Sequence, residues 1–119
     1  MAKTLTIFLR TGSMMAMDAN VATKLAKAAM DKGYNVHIFG YGEGVTTVKK
    51  GQTPKRFPNV GEEIEEITKL GTTMAICETC FAARGFQRGE EISTAKVGSL
   101  TNDLFKFLQE SDRLVTIAR

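Results

Sequence analysis

The chain is short of cysteine, histidine and proline, and each shortage closes off a class of answer. Of 119 residues, two are Cys, one is His and two are Pro. Cys77 and Cys80 alone do not make a disulfide framework. One such pair with His37 is too few ligands for a closed four-ligand zinc cage within one subunit, so no metal is expected. Neither Pro54 nor Pro58 precedes a strand near the cysteines, where a thioredoxin-like couple keeps a cis proline. No apolar run approaches the roughly 18 residues that span a bilayer. The start, "MAKTLTIFLR", has no cleavage-type small-residue site and does not read as a signal peptide. Lys and Arg number 16 against 13 Asp and Glu, a formal charge of +3, with a pI near 9.0. That balance permits an acidic partner but is no nucleic-acid signature. The basic run Lys49 to Arg56 reads as a solvated loop. A cytoplasmic protein with reduced thiols is expected, with no membrane segment and no direct nucleic-acid contact.

With 43% hydrophobic residues, the chain is expected to fold as a single domain, residues 1–119, with a real core. Short β-type runs alternate with helix-type runs. Lys3 to Leu9 is rich in β-branched and aromatic residues and predicts a first strand. From Asp18 to Lys32, Val21, Leu25, Ala28 and Ala29 fall at helical spacing, with Asp18 as candidate N-cap and Gly33 as the stop. Tyr34 to Gly40 predicts a second strand. Gly61 to Gly71 predicts a helix with Ile64, Ile67 and Leu70 on one face and its acids in the early turns. Thr72 to Cys77 is a third strand, Ser93 to Ser99 a weaker fourth, and Asp112 to Ala118 a fifth. Between the last two, Ser99 to Ser111 carries Leu104, Phe107 and Leu108 on a helical face, capped by Ser99 or Thr101. Strands separated by helical patterns of this length predict an α/β fold with a parallel sheet covered on both faces. Gly40 to Asn59 is the one irregular stretch, and a loop that long inside a compact domain is usually functional or mobile.

A parallel α/β sheet binds beyond the C-terminal ends of its strands. Three segments are expected there: Arg10 to Asp18, Gly40 to Val45 and Cys77 to Gly85. The Cys-x-x-C pair sits in the third. Cys77 ends a strand at the edge that partners reach, and Cys80 falls in the first helical turn, where one face points back into the core. A phosphatase-type loop needs Cys-x5-Arg, but Arg84 follows Cys77 after six residues and Cys80 after three. "GYGEG" follows the second strand and is not a dinucleotide fingerprint. What remains is a thiol at a strand-to-helix turn, where backbone N–H groups and Arg84 favour the thiolate, set against two inert packed cysteines. His37, between Val36 and Ile38, reads as a structural histidine. Met14, Met15 and Met17 read as adaptable packing at a core edge or subunit contact, or as an apolar lid over the cysteines. Glu43 is a candidate base or a solvated loop acid.

The segment "CETCFAARGF", Cys77 to Phe86, resembles the cysteine motif of the DsrE/DsrF-like sulfur-relay proteins, which include the TusD type. Lys24 to Gln52 is similar to the family's second block, and Ala95 to Ile117 to its closing block. The resemblance implies a three-layer α/β/α sandwich on a five-stranded parallel sheet. It also implies homo-oligomers, often trimers or hexamers, and donor and acceptor partner proteins, with no cofactor. Sulfur travels in this family as a cysteine persulfide. Counting back from Arg84 and Gly85 puts the carrier position on Cys77, with Cys80 as the extra thiol of the family's C-x-x-C branch. Two readings stay open beside the carrier: a thiol-disulfide redox protein using the same pair, and a non-catalytic oligomeric module binding a small ligand.

Overall fold

The computed structural model describes residues 2–119; Met1 lies outside the described residues. Five strands form one sheet: β1 (Thr4–Leu9), β2 (Asn35–Gly40), β3 (Thr73–Cys77), β4 (Ala95–Gly98) and β5 (Arg113–Ile117). Their spatial order is β4-β3-β2-β1-β5, and every pairing is parallel. Four α-helices connect them: α1 (Asp18–Asp31), α2 (Val60–Lys69), α3 (Glu78–Ala83) and α4 (Phe105–Glu110). The crossovers through α1, α2 and α3 all step towards β4. The return through α4 crosses to the far edge, and right-handed crossovers then put α4 on the opposite face. Phe107 of α4 accordingly lies on β2, stacked on His37 and edge-on to Phe39. The result is a three-layer α/β/α sandwich, as expected.

The sheet interior is built from Ile7, Leu9, Val36, Ile38, Phe39, Met74, Ala75 and Ile76, all buried. Near-continuous apolar strands are the mark of a parallel sheet covered on both faces. The helices depart from the expected faces. On α1 the buried residues are Ala19, Asn20, Ala22, Thr23, Ala26 and Ala29, while Val21 is 52% exposed. Small side chains let α1 sit close to the sheet. The two polar ones meet α2, where Asn20 Nδ2 and Thr23 Oγ1 both donate to Glu63 Oε1, at 3.0 and 2.9 Å. Asp18 does not cap α1; Met17 holds that place, and the Asp18 carboxylate accepts from Arg119 instead. Gly33 does end the helix, at φ 90°. On α2, Ile64 and Ile67 are buried as expected, but Leu70 is past the last turn and 57% exposed. Its cap is Asn59, whose side chain accepts from the Glu62 N–H. Leu104 and Phe107 are buried, whereas Leu108 lies at the rim. Ser99 is the cap before α4, through a wide five-residue turn over Leu100–Leu104.

The stretch after β2 is not a loose loop. Gly42–Val48 winds as a 3-10 helix whose Val45, Thr47 and Val48 are fully buried. Gln52 then ties the following turn down, donating from Nε2 to the carbonyls of Thr47 and Lys49 at 2.9 and 3.0 Å. No helix among the described residues is long and apolar enough to cross a membrane.

Candidate functional site

The C-terminal end of the sheet is where three segments meet, as expected. The meeting depends on the absence of a side chain at Gly44: a Cβ there would lie 2.1 Å from the Leu9 carbonyl oxygen. The 3-10 helix therefore rests its backbone directly on the end of β1. The loop after β1 closes over it, with the Ser13 N–H donating to Thr46 Oγ1 at 3.2 Å and Thr46 Oγ1 donating to the Glu43 carbonyl at 2.9 Å. Gly42 opens the 3-10 helix at φ 60°, the left-handed region that glycine enters without strain.

Cys77 is the last residue of β3 and the N-cap of α3. Cys80 lies one turn on. Both are free thiols. Helix α3 is only six residues long, and it stops where the sequence says it must. Gly85 takes φ 81°, its N–H donates to the Ala82 carbonyl, and the Phe86 N–H donates to the Phe81 carbonyl, the paired bonds of a glycine C-cap. The Arg-Gly pair thus has a local role: Gly85 turns the chain, and Arg84 is free to reach back. Arg84 Nη1 donates to the Cys80 carbonyl at 2.9 Å. Its Nε and Nη2 both meet Glu43 Oε1, at 3.0 and 2.8 Å.

The expected order of access is reversed. Cys77 does not lie at an open edge: it is only 5% exposed and belongs to the core, because β4 and the 98–104 turn close over the end of β3. Cys80, expected to point inward, is the more open of the two. Its electrostatics also run against expectation. Burial pushes the Cys80 thiol up, the adjacent Cys77 thiol adds to the rise, and the Gly42 N–H and Arg84 charge pull it back only part of the way. At neutral pH Cys80 is a thiol, not a thiolate.

Other sequence candidates fall elsewhere. His37 sits near the opposite end of the sheet, with Nε2 3.0 Å from Glu110 Oε1, as a structural histidine. Glu43 is spent on Arg84 rather than placed as a base. Met14 and Met17 line a cavity of about 230 Å³ with Phe57 and Pro58, and neither cysteine lines it. Three of them, Met14, Met15 and Met17, are at least half exposed. Sequence reasoning missed Asp103. This buried carboxylate accepts from the Ser99 N–H at 2.8 Å and pairs with Lys96 Nζ at 2.8 Å, and a Cβ on Gly98, the cross-strand partner of Cys77, would overlap it. Its signal was present only as a Gly-Ser turn with an acid four residues on. Among the described residues, no three His, Cys, Asp or Glu side chains converge as a metal site.

Comparison with known proteins agrees with the fold. The model of the DsrE/DsrF-like family matches residues 3–117. An uncharacterised protein of Methanocaldococcus jannaschii, MJ0989, is 36% identical over 95 residues, 80% of this chain and 82% of its own. MK0008 of Methanopyrus kandleri, likewise uncharacterised, is 32% identical over 97 residues, 82% and 79% of the two chains. Among solved structures, the ychN protein of E. coli superposes with a TM-score of 0.87 at 21% identity, covering 98% of this chain and 99% of that one. MTH1491 of Methanobacterium thermoautotrophicum, a protein of unknown function, gives 0.76 at 12%, covering 96% and 98%. At these identities the two structures speak for the fold alone.

Proposed function

The chain belongs to the DsrE/DsrF-like family, and from that premise we propose that it is a sulfur-relay protein. It accepts sulfane sulfur as a persulfide on Cys77 and passes it to a partner protein. The Cys77 thiolate attacks the terminal sulfur of a donor persulfide. The donor's S–S bond breaks, the donor leaves as its thiolate, and Cys77 carries the extra sulfur. An acceptor thiolate then attacks that outer sulfur, and Cys77 leaves in turn. No electrons are gained or lost across the pair of steps.

The observation that carries this reading is the thiol pair itself: a buried Cys77 at the end of β3 with Cys80 against it. Burial shelters a persulfide on Cys77 from solvent and from stray thiols. Cys80 is the one neighbour placed to discharge it, by attacking the inner sulfur, closing a Cys77–Cys80 disulfide and releasing hydrogen sulfide. Because Cys80 stays protonated at neutral pH, that discharge is slow there and quickens as the pH rises. Arg84 completes the site as the cation beside Cys80. Donor and acceptor proteins, a cytoplasmic setting that keeps the thiols reduced, and a homo-oligomer, trimer or hexamer, belong to the same reading.

A second reading rests on the same contact, since two adjacent thiols also suit a thiol-disulfide couple. One experiment separates the two. The wild type, Cys77→Ser and Cys80→Ser are exposed to glutathione persulfide and weighed intact. One added sulfur is expected on wild type and on Cys80→Ser, longer-lived on the latter, with Cys77→Ser unmodified. An adduct confined to Cys80 reverses the assignment. A reversible disulfide with no adduct on any form replaces the carrier with the redox couple.

A further inference from the structure

We propose that Glu43 is a positioning residue for the thiol pair: it fixes Arg84 and clips the 42–48 turn against Cys80. This rests on the thiols being the working site. Glu43 reaches across 41 residues of sequence to take two of the three guanidinium nitrogens of Arg84 on one oxygen. The third nitrogen holds the Cys80 carbonyl. One guanidinium thus joins the turn after β2 to the helix after β3, at the residue that carries the thiol.

The backbone of Glu43 is anchored independently. Thr46 Oγ1 donates to its carbonyl, the Ser13 N–H donates to Thr46, and Gly44 beside it lies on the end of β1. The base of the turn is therefore fixed on β1, and its tip, Gly42 and Glu43, meets α3. Two groups near the tip favour a Cys80 anion, the Gly42 N–H and the Arg84 charge. Arg84 is held by the Glu43 side chain, and Gly42 is the residue before Glu43 in the turn. With Glu43 about half exposed and Arg84 about a quarter, the ion pair is screened by solvent, and its value lies in geometry more than in binding energy.

Charge and position act on the thiol with opposite sign. As a bare charge, the carboxylate disfavours a nearby thiolate. As a clip, it favours one by keeping Gly42 and Arg84 in place. Two substitutions pull these apart. Glu43→Gln keeps an acceptor for Arg84 and removes the charge; Glu43→Ala removes both.

The test is the rate of iodoacetamide alkylation against pH in a Cys77→Ser background, where Cys80 is the thiol read. Glu43→Gln is expected to alkylate faster than its parent at neutral pH, and Glu43→Ala slower by about threefold, with the pH profile displaced upward. Adding Arg84→Ala should abolish the slowing that Glu43→Ala makes and leave only the small acceleration from the lost charge, because the clip then has nothing to hold. If Glu43→Ala alkylates as fast as or faster than its parent, the carboxylate is only a charge and the proposal fails. If the slowing persists without Arg84, it fails too. Alkylation needs no sulfur donor, so a protein that shows the expected pattern yet takes no persulfide keeps this inference and loses the carrier reading.

Discussion

The two ends of the sheet each hold a largely covered group that can titrate, and they are built in opposite ways. At the N-terminal end, His37 is stacked on Phe107 with ring centroids 4.3 Å apart and planes within 6°. Its Nε2 is taken up by Glu110, and the surroundings are strand starts and a helix end. At the C-terminal end, Cys77 and Cys80 sit among three chain segments, and the groups around Cys80 address its sulfur: an N–H, a guanidinium and a second thiol. The histidine's Nε2 is paired with Glu110, whereas both cysteines are free thiols in contact with each other. Burial of a titratable group therefore says little about function. What its neighbours do to it, and the end of a parallel sheet at which it lies, say more.

The comparison breaks most sharply at Gly44. Alanine there must push the 3-10 helix off the Leu9 carbonyl, because the obstacle is backbone and not the tip of a flexible side chain. Gly44→Ala is expected to cost about 3 kcal/mol. Urea unfolding would show a lower midpoint, and a thiol titration of the native protein would show Cys77 reacting faster. A midpoint unchanged from wild type would mean that the turn is free to shift, and that the thiols are not held from above. A smaller effect is expected at Asp103. Burial raises this carboxyl, but Lys96 and the Ser99 N–H outweigh it, and its pKa ends below the ordinary carboxylate value. The unfolded chain then binds more protons than the native one in acid. The contribution is full above pH ~4 and is lost as the pH falls through the native value. Asp103→Asn keeps an acceptor for Ser99 and is expected to cost about 1 kcal/mol at neutral pH. Its stability should change less than that of wild type below pH ~4; an equally steep acid limb would assign that limb to other carboxylates.

Much of this was legible in the sequence, and the pattern of misses has physical causes. All five strands were expected, the first from a β-branched and aromatic run and the fourth only weakly, and their spacing by helical patterns pointed to a parallel sheet. Gly33 announced a helix end because only glycine takes that positive φ cheaply. The buried face of α1 is only partly legible: Ala29 was expected and is buried, but the close approach is also made by Ala19, Ala22 and Ala26, small residues that carry little apolar signal. The polar Asn20 and Thr23 are buried because Glu63 of another helix meets them, and no local pattern shows a partner 40 residues away. The Gly40 to Asn59 stretch looks like a loop because 3-10 winding has no apolar period to detect, although Val45 and Val48 were there to be buried. The thiols are legible, and so is their end of the sheet. Their order of access is not, since strand position alone does not reveal that β4 and the following turn close over Cys77.

The finest test of the comparison is at His37, where the expected effect is smallest and its sign decides the matter. Burial pushes His37 below its ordinary range; Glu110 opposes this and Lys106 adds to it. With the native value below the unfolded one, the unfolded chain takes up a proton first as the pH falls through about 6.5. Stability should therefore decline on acidification from that point until the native histidine also titrates, by less than about 1 kcal/mol. Were the Glu110 ion pair the stronger influence, the native value would be raised instead, and the same acidification would stabilise the protein. His37→Phe preserves the stack on Phe107 and removes both the buried Nδ1, which has no partner among the described residues, and the titration. Urea midpoints of wild type and His37→Phe at about pH 8 should differ little, and only wild type should lose stability between about pH 7 and pH 5.5. A wild type that gains stability over that interval would show a histidine held as a cation by Glu110. The N-terminal end would then be a charged site in its own right, and the contrast with the thiol end would no longer rest on burial.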